Sequence, residues 1–285
     1  MRRLIINADD FGLTTGVNRA IAEGNRSGVL TSATMMANAQ ASAAAMDIAR
    51  EQPALKTGCH IVLIDGVPIS ANLPSLTSGS SRFRSSLKQF AVAAVRKQIA
   101  PEEIQREAEA QIRKIQTRCI ALTHVDSHKH THMFPHVLRP VLRAARACGI
   151  RAVRNPFEPL RGWPGGLVLG TPALWLRSAG VMAFQMFAGE FRRALKEEGM
   201  LSTDGTVGIA ATGKLDQKML LGILNALPEG TWELVCHPGY SDADLQASGT
   251  RLTRSRETEL AALVSTETKE AIARQKIELI SYADL

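Results

Sequence analysis

Apolar runs of strand length alternate with helix-like segments from one end of the chain to the other. Leu4 to Ala8, Thr31 to Met36, Thr57 to Leu63, Leu122 to Ser127, Ala152 to Arg154, Val207 to Ala211, Glu233 to Cys236 and Ile277 to Ile280 read as strands. Val17 to Glu23, Ala39 to Arg50, Pro101 to Arg118, Val137 to Cys148, Leu215 to Leu227 and Glu257 to Gln275 read as helices. Proline opens the third of these, acidic residues fill its first turn, and Gly149 ends the fourth. The stretch Asp65 to Ser86, rich in Gly, Pro and Ser, reads as an excursion loop. No repeat and no linker-like gap divides the 285 residues. The alternation predicts one α/β domain whose parallel sheet is closed as a barrel or left open. In both cases ligands sit at the carboxyl ends of the strands, so the residues just after each strand carry the chemistry.

Asn7-Ala8-Asp9-Asp10-Phe11-Gly12 follows the first strand. Two adjacent carboxylates there are costly unless a cation meets them; capping of the next helix by one of them is the plainer alternative. The third strand holds Gly58-Cys59-His60. Five of the chain's seven histidines fall between His124 and His136. In extended chain His124, Asp126, His128, His130 and His132 would share one face, and one ion could take one or two of them. A helical turn would instead bring His128 and His132 together. Cys236-His237-Pro238 ends a further strand, and Arg154 follows a short one, where it can hold a carboxylate ionised. Asp and His side chains suit a divalent cation with open positions for water. The pattern points to metal-assisted hydrolysis from several strand ends.

These motifs, with Thr123 to Pro135, resemble those of the YdjC-like carbohydrate deacetylases, in the same order over residues 5 to 239. The resemblance implies an irregular TIM-like (β/α) barrel of about seven to eight mainly parallel strands. It also implies hydrolysis of the N-acetyl group of an amino sugar with one divalent metal ion, Mg²⁺ or Zn²⁺. Asp10, His60 and His128 would bind the metal, Asp9 would be the general base and His237 the general acid. Arg154, His130 and His132 would line the substrate site. Lys129 stands where the chitooligosaccharide branch usually has a third consecutive histidine; on an extended chain it would face away from the metal. The stretch from Val207 to Pro228 is closer to the hopanoid-biosynthesis branch, so the expected substrate is an N-acetylated oligosaccharide or a glycolipid.

Charge adds one feature. The net charge of +7 is concentrated between Val137 and Lys196, where ten Lys/Arg face two Asp/Glu. Arg139, Arg143 and Arg146 fall on one helix face, and no nucleic-acid motif accompanies them. The same stretch carries six of the 13 aromatic residues. It is expected to form an insertion or cap at about 155–198. Residues 157–191 would pack in the core beside a solvated basic helix, contact an anionic membrane surface, or meet a second copy in a homodimer. The four cysteines show no paired spacing and are expected to be reduced. With too short an apolar N-terminus for a signal peptide, the expected location is cytoplasmic, peripheral to the inner membrane face if the membrane contact forms.

Overall fold

The computed structural model describes residues 1–158 and 185–285. In it seven strands form one curled, wholly parallel sheet: β1 (Arg2–Phe11), β2 (Ser32–Met35), β3 (Lys56–Ile61), β4 (Leu122–Ser127), β5 (Gly205–Val207), β6 (Gly230–Cys236) and β7 (Ile277–Ile280). Their order is β4-β3-β2-β1-β6-β5. Strand β1 gives one edge to β6 over Arg2 to Ala8. It shares the other between β7, along Arg2 to Ile5, and β2, along Asn7 to Phe11.

The gap between β4 and β5 is bridged by residues 151–157. Val125 donates to Ala152 O and Arg154 to Val125 O on one side, while Thr206 donates to Phe157 O on the other. The Ala152 to Arg154 strand of the sequence reading is therefore a pair of single bridges, to Val125 and Leu201. This irregular stave curls the sheet into the expected TIM-like barrel.

The outer helices are α1 (Thr15–Arg26), α2 (Ser42–Glu51), α3 (Pro74–Thr77), α4 (Leu87–Val95), α5 (Pro101–Gln116), α6 (Pro135–Ala147), α7 (Ala188–Glu198), α8 (Gln217–Ala226), α9 (Ala243–Ala247), α10 (Ser255–Val264) and α11 (Thr266–Arg274). Their inward apolar faces and most strand side chains form one large core, with Ile5, Ala152, Ile280 and Tyr282 as a small separate cluster. The single helix expected over Glu257 to Gln275 is two. Ser265 is extended and its hydroxyl accepts from Thr268 N, which starts a new helix. The excursion after β3 contains α3, and α4 follows it. Two carboxylates of α5 hold it down: Glu103 accepts from Ser75 N and Leu76 N, and Glu107 from Ile69 N and Ser70 N.

Helices α6 and α7 absorb much of the charge excess. Arg139 pairs with Glu190 and Glu197, and Arg143 and Arg146 pair with Glu198. Phe157 and Phe191 are buried against each other, ring centroids 5.5 Å apart. Of the aromatic residues in the described part of 157–191, Phe157 and Phe191 therefore face the protein, and Phe187 packs edge-on against Phe134. Residues 159–184, with Trp163, Trp175 and Phe184, lie outside the described residues. The two residues flanking them meet: Gln185 Nε2 donates to Glu158 O at 2.6 Å. Among the described residues no helix is long and apolar enough to cross a membrane.

Candidate active site and metal centre

The site begins with an irregularity in β1. The register against β2 shifts between Ala8 and Phe11, and Asp10 adopts φ 65°. Such a bulge breaks the inward–outward alternation of a strand. Asp9 and Asp10 consequently both enter the buried site, although they are neighbours in sequence. Neither caps α1; that role falls to Thr14, whose hydroxyl accepts from Val17 N.

Each carboxylate meets its own guanidinium. Arg154 donates to both oxygens of Asp9, at 2.6 and 2.9 Å. Asn7 Nδ2 and Thr34 Oγ1 add donors to Asp9 Oδ1 at 3.1 and 3.3 Å. Burial pushes the Asp9 pKa up, but Arg154, with His60 and His237, outweighs it and holds the carboxyl well below its usual range. Asp10 Oδ2 accepts from Arg256 at 2.5 Å, and again the opposite charge overrides burial.

The free oxygen of Asp10 faces two histidines. Oδ1 lies 3.7 Å from His60 Nε2 and 3.3 Å from His128 Nδ1, and the two nitrogens are 3.3 Å apart. Around an ion with bonds of about 2.0–2.2 Å, neighbouring ligand atoms lie roughly 3 to 3.5 Å apart; two edges of this triangle fall in that range and the third, at 3.7 Å, is slightly longer. His60 Nδ1 donates to Asp126 Oδ1 at 2.7 Å, so in the neutral ring the Nε2 lone pair points into the triangle. The surrounding charge also calls for a cation. Four buried carboxylates (Asp9, Asp10, Asp126, Glu233) meet two buried guanidiniums (Arg154, Arg256), leaving two negative charges. Burial lowers the His60 pKa, yet Asp126, Asp9 and Asp10 together raise it to about 9. Asp10, His60 and His128 thus fit a divalent ion.

A second group also converges, Asp9, His60 and Asp126. Arg154 already occupies it, with Nη2 on Asp9 Oδ1 at 2.6 Å and Nη1 on Asp126 Oδ2 at 2.5 Å.

His237 completes the site. Its Nε2 is 3.9 Å from Asp9 Oδ2. Burial pulls its pKa down to about 4 against Asp9 and Asp10, so the resting imidazole is neutral. Its backbone N–H donates to Glu259 Oε2 at 2.6 Å, which fixes the turn after β6.

The histidine tract departs from both sequence expectations. Strand β4 ends at Ser127, and His128 to Met133 form a distorted 3₁₀ turn with Lys129 and His130 at φ 54° and 53°. The common face of five residues therefore does not exist, and His128 and His132 do not form one ligand pair. His124 lies in the barrel floor, its ring pressed so close to Gly58 that a Cβ there would come within 2.4 Å. His132 is buried, accepting from Ser127 Oγ and donating to Arg154 O; it supports Arg154 instead of lining a cleft. His130 is half-buried with Nδ1 unpartnered. Lys129 reaches Asp65 at 2.5 Å, and Asp65 Oδ2 is also 3.9 Å from His128 Nε2. Lys129 is therefore at the metal-side rim and not on an opposite face.

Sequence reasoning missed Arg256, Glu233, Glu259, Thr34 and the orienting role of Asp126. Glu233 had a signal, a lone carboxylate within the apolar strand Trp232 to Cys236. Arg256 had none, since its helix reads as an ordinary surface helix.

Residues 3–274 match the family described as YdjC-like protein. A carbohydrate deacetylase of Brevibacillus brevis is 34% identical over 284 residues, covering 99% of both chains. Another, of Geobacillus stearothermophilus, is 31% identical over 284 residues, covering 99% of this chain and 98% of its own. A crystal structure of a proposed cellobiose-phosphate cleavage protein from Enterococcus faecalis aligns with TM-score 0.79 at 25% identity, covering 99% of this chain and 98% of that one.

Proposed function

This chain belongs to the YdjC-like family, and on that premise we propose that it hydrolyses the N-acetyl group of an amino sugar, releasing acetate and the free amine. The observation that carries the reading is the Asp10–His60–His128 triangle beside an arginine-held carboxylate and a third, neutral histidine.

Asp10 Oδ1, His60 Nε2 and His128 Nδ1 would hold one Mg²⁺ or Zn²⁺, which when bound polarises the acetyl carbonyl and makes water more acidic. Asp9 takes a proton from the attacking water. Its clamp by Arg154, Asn7 and Thr34 keeps it ionised and aimed, and also makes it a weak base, so the proton is held only briefly. His237, neutral at rest and 3.9 Å away, accepts that proton. The water oxygen bonds to the acetyl carbon, the carbon–nitrogen bond breaks, and His237 returns the proton to the departing nitrogen. Asp9 is buried and only 12% of the His237 side chain is exposed, which favours transfer between them over loss to solvent.

The substrate is an N-acetylglucosamine-type sugar, as an oligosaccharide or as a glycolipid such as an N-acetylglucosaminyl hopanoid. His130 lies at the substrate side in this reading. Metal-loaded protein assayed on N-acetylglucosamine oligomers and N-acetylglucosaminyl lipids is expected to release acetate. Absence of acetate across that panel, with metal bound, would refute the reading. A two-metal phosphoesterase is the competing chemistry; Arg154 in the second carboxylate group argues against it.

A further inference from the structure

After β7 the chain turns at Ser281, where Ser281 and Asp284 cap one another. It then delivers Tyr282 into the barrel floor. The Tyr282 ring is buried and stacks on His124, centroids 3.8 Å apart and planes 12° from parallel. Its hydroxyl donates to Glu233 Oε2 at 2.5 Å. Glu233 Oε1 accepts from Arg154 Nε and Nη2, at 2.9 and 2.6 Å. Arg154 then reaches Asp9 through Nη1 and Nη2. One unbroken line of buried hydrogen bonds thus runs from a hydroxyl near the C-terminus to the carboxylate beside the metal triangle.

Three carboxylates compete for the single Arg154 guanidinium: Asp9, Asp126 and Glu233. Small rotations decide which of them receives a two-pronged contact. Tyr282 occupies Glu233 Oε2, so only Oε1 faces Arg154, against its Nε edge. The opposite edge is left to Asp9 and Asp126. Without the hydroxyl, Glu233 Oε2 retains Thr206 Oγ1 at 3.4 Å. The carboxylate is then free to turn and take Arg154 with both oxygens, at the expense of Asp9.

We propose that Tyr282 is a positioning residue for the reaction, acting through Glu233 and Arg154 to set the orientation of the Asp9 carboxylate. The C-terminal segment is on this account a working part of the site and not only a plug. The proposal rests on the deacetylase reading for the reaction it serves, but the hydrogen-bond line can be read without turnover.

Tyr282→Phe removes one oxygen and keeps the ring stack. It is expected to lower kcat about tenfold or more while KM changes by less than about threefold. In protein labelled with ¹⁵N-arginine, the Arg154 Nε–H resonance, identified by its loss in Arg154→Lys, is expected to shift in Tyr282→Phe. The double variant Tyr282→Phe/Glu233→Gln is expected to be no slower than Glu233→Gln alone, because the hydroxyl acts only through that carboxylate. Ile280→Ala, which loosens the same segment but spares the hydroxyl, is expected to keep kcat within about twofold of wild type. An unmoved Arg154 resonance overturns the proposal. So does a shifted resonance with unchanged kcat, or a kcat loss that Ile280→Ala reproduces. A wild-type protein without deacetylase activity would refute the function while leaving the resonance test of the line intact.

Discussion

Asp126 Oδ1 accepts from His60 Nδ1 at 2.7 Å while its other oxygen takes Arg154, so one carboxylate orients both a ligand of the metal triangle and the arginine that clamps Asp9. Asp126→Asn keeps an acceptor for His60 but loses the charge. Metal affinity is expected to fall about 10- to 100-fold, the usual effect of losing an outer carboxylate. Isothermal titration with Zn²⁺ or Mg²⁺ measures this directly.

Arg154 fills the second group of converging carboxylates, so the protein is expected to bind one divalent ion per chain. Elemental analysis of metal-loaded protein after gel filtration gives the ratio. Two tightly held ions would contradict the assignment of that space to Arg154.

The two proton carriers are expected to separate by leaving group. Asp9→Asn is expected to lower kcat by about 10² to 10⁴ on every acetylated substrate, since the water must always lose a proton. His237→Gln is expected to lose about as much on N-acetyl sugars but far less on an activated acetyl ester, whose leaving group needs no proton. Equal losses on both substrates would remove His237 from its role as proton donor.

Burial lowers the pKa of His124 to about 3, below the usual 6.5 of its unfolded state. The unfolded chain therefore binds a proton there that the native one refuses. This contribution to stability is full above pH 6.5 and is lost as pH falls toward 3, at up to about 1.4 kcal/mol per pH unit. Buried Glu158 and Glu259, raised by burial to about 8 and 7, act in the opposite sense over part of that range. The test is thus a difference. Urea unfolding of His124→Phe between pH 6.5 and 4 is expected to show a pH slope smaller by about one proton than wild type.

The barrel was legible because its signal is periodic: β4 and β7 have the bounds that their apolar runs predict, β1, β2, β3 and β6 shift at their ends, β5 lies earlier, at Gly205–Val207, and 152–154 makes only single bridges. Strand positions marked where polar chemistry gathers but left open which histidines share an ion; the resemblance singled out Asp10, His60 and His128, and the fold brings these three together. The histidine tract was misread because alternation holds only while the backbone stays extended, and Lys129 and His130 leave it. A left-handed pair of non-glycine residues carries no mark in composition. The supports of the site were hidden for another reason. Arg256, Glu259 and Tyr282 come from the last fifth of the chain, and only folding brings them to Asp10, His237 and Glu233.

The hydrogen bond between Glu158 and Gln185 joins the two ends of the segment they flank. A barrel whose inserted stretch leaves and returns through one neck spends little closure entropy when that stretch is lengthened, shortened or exchanged. The number of residues between Glu158 and Gln185 can therefore change at little cost to the carboxylates, histidines and arginines held by the strands.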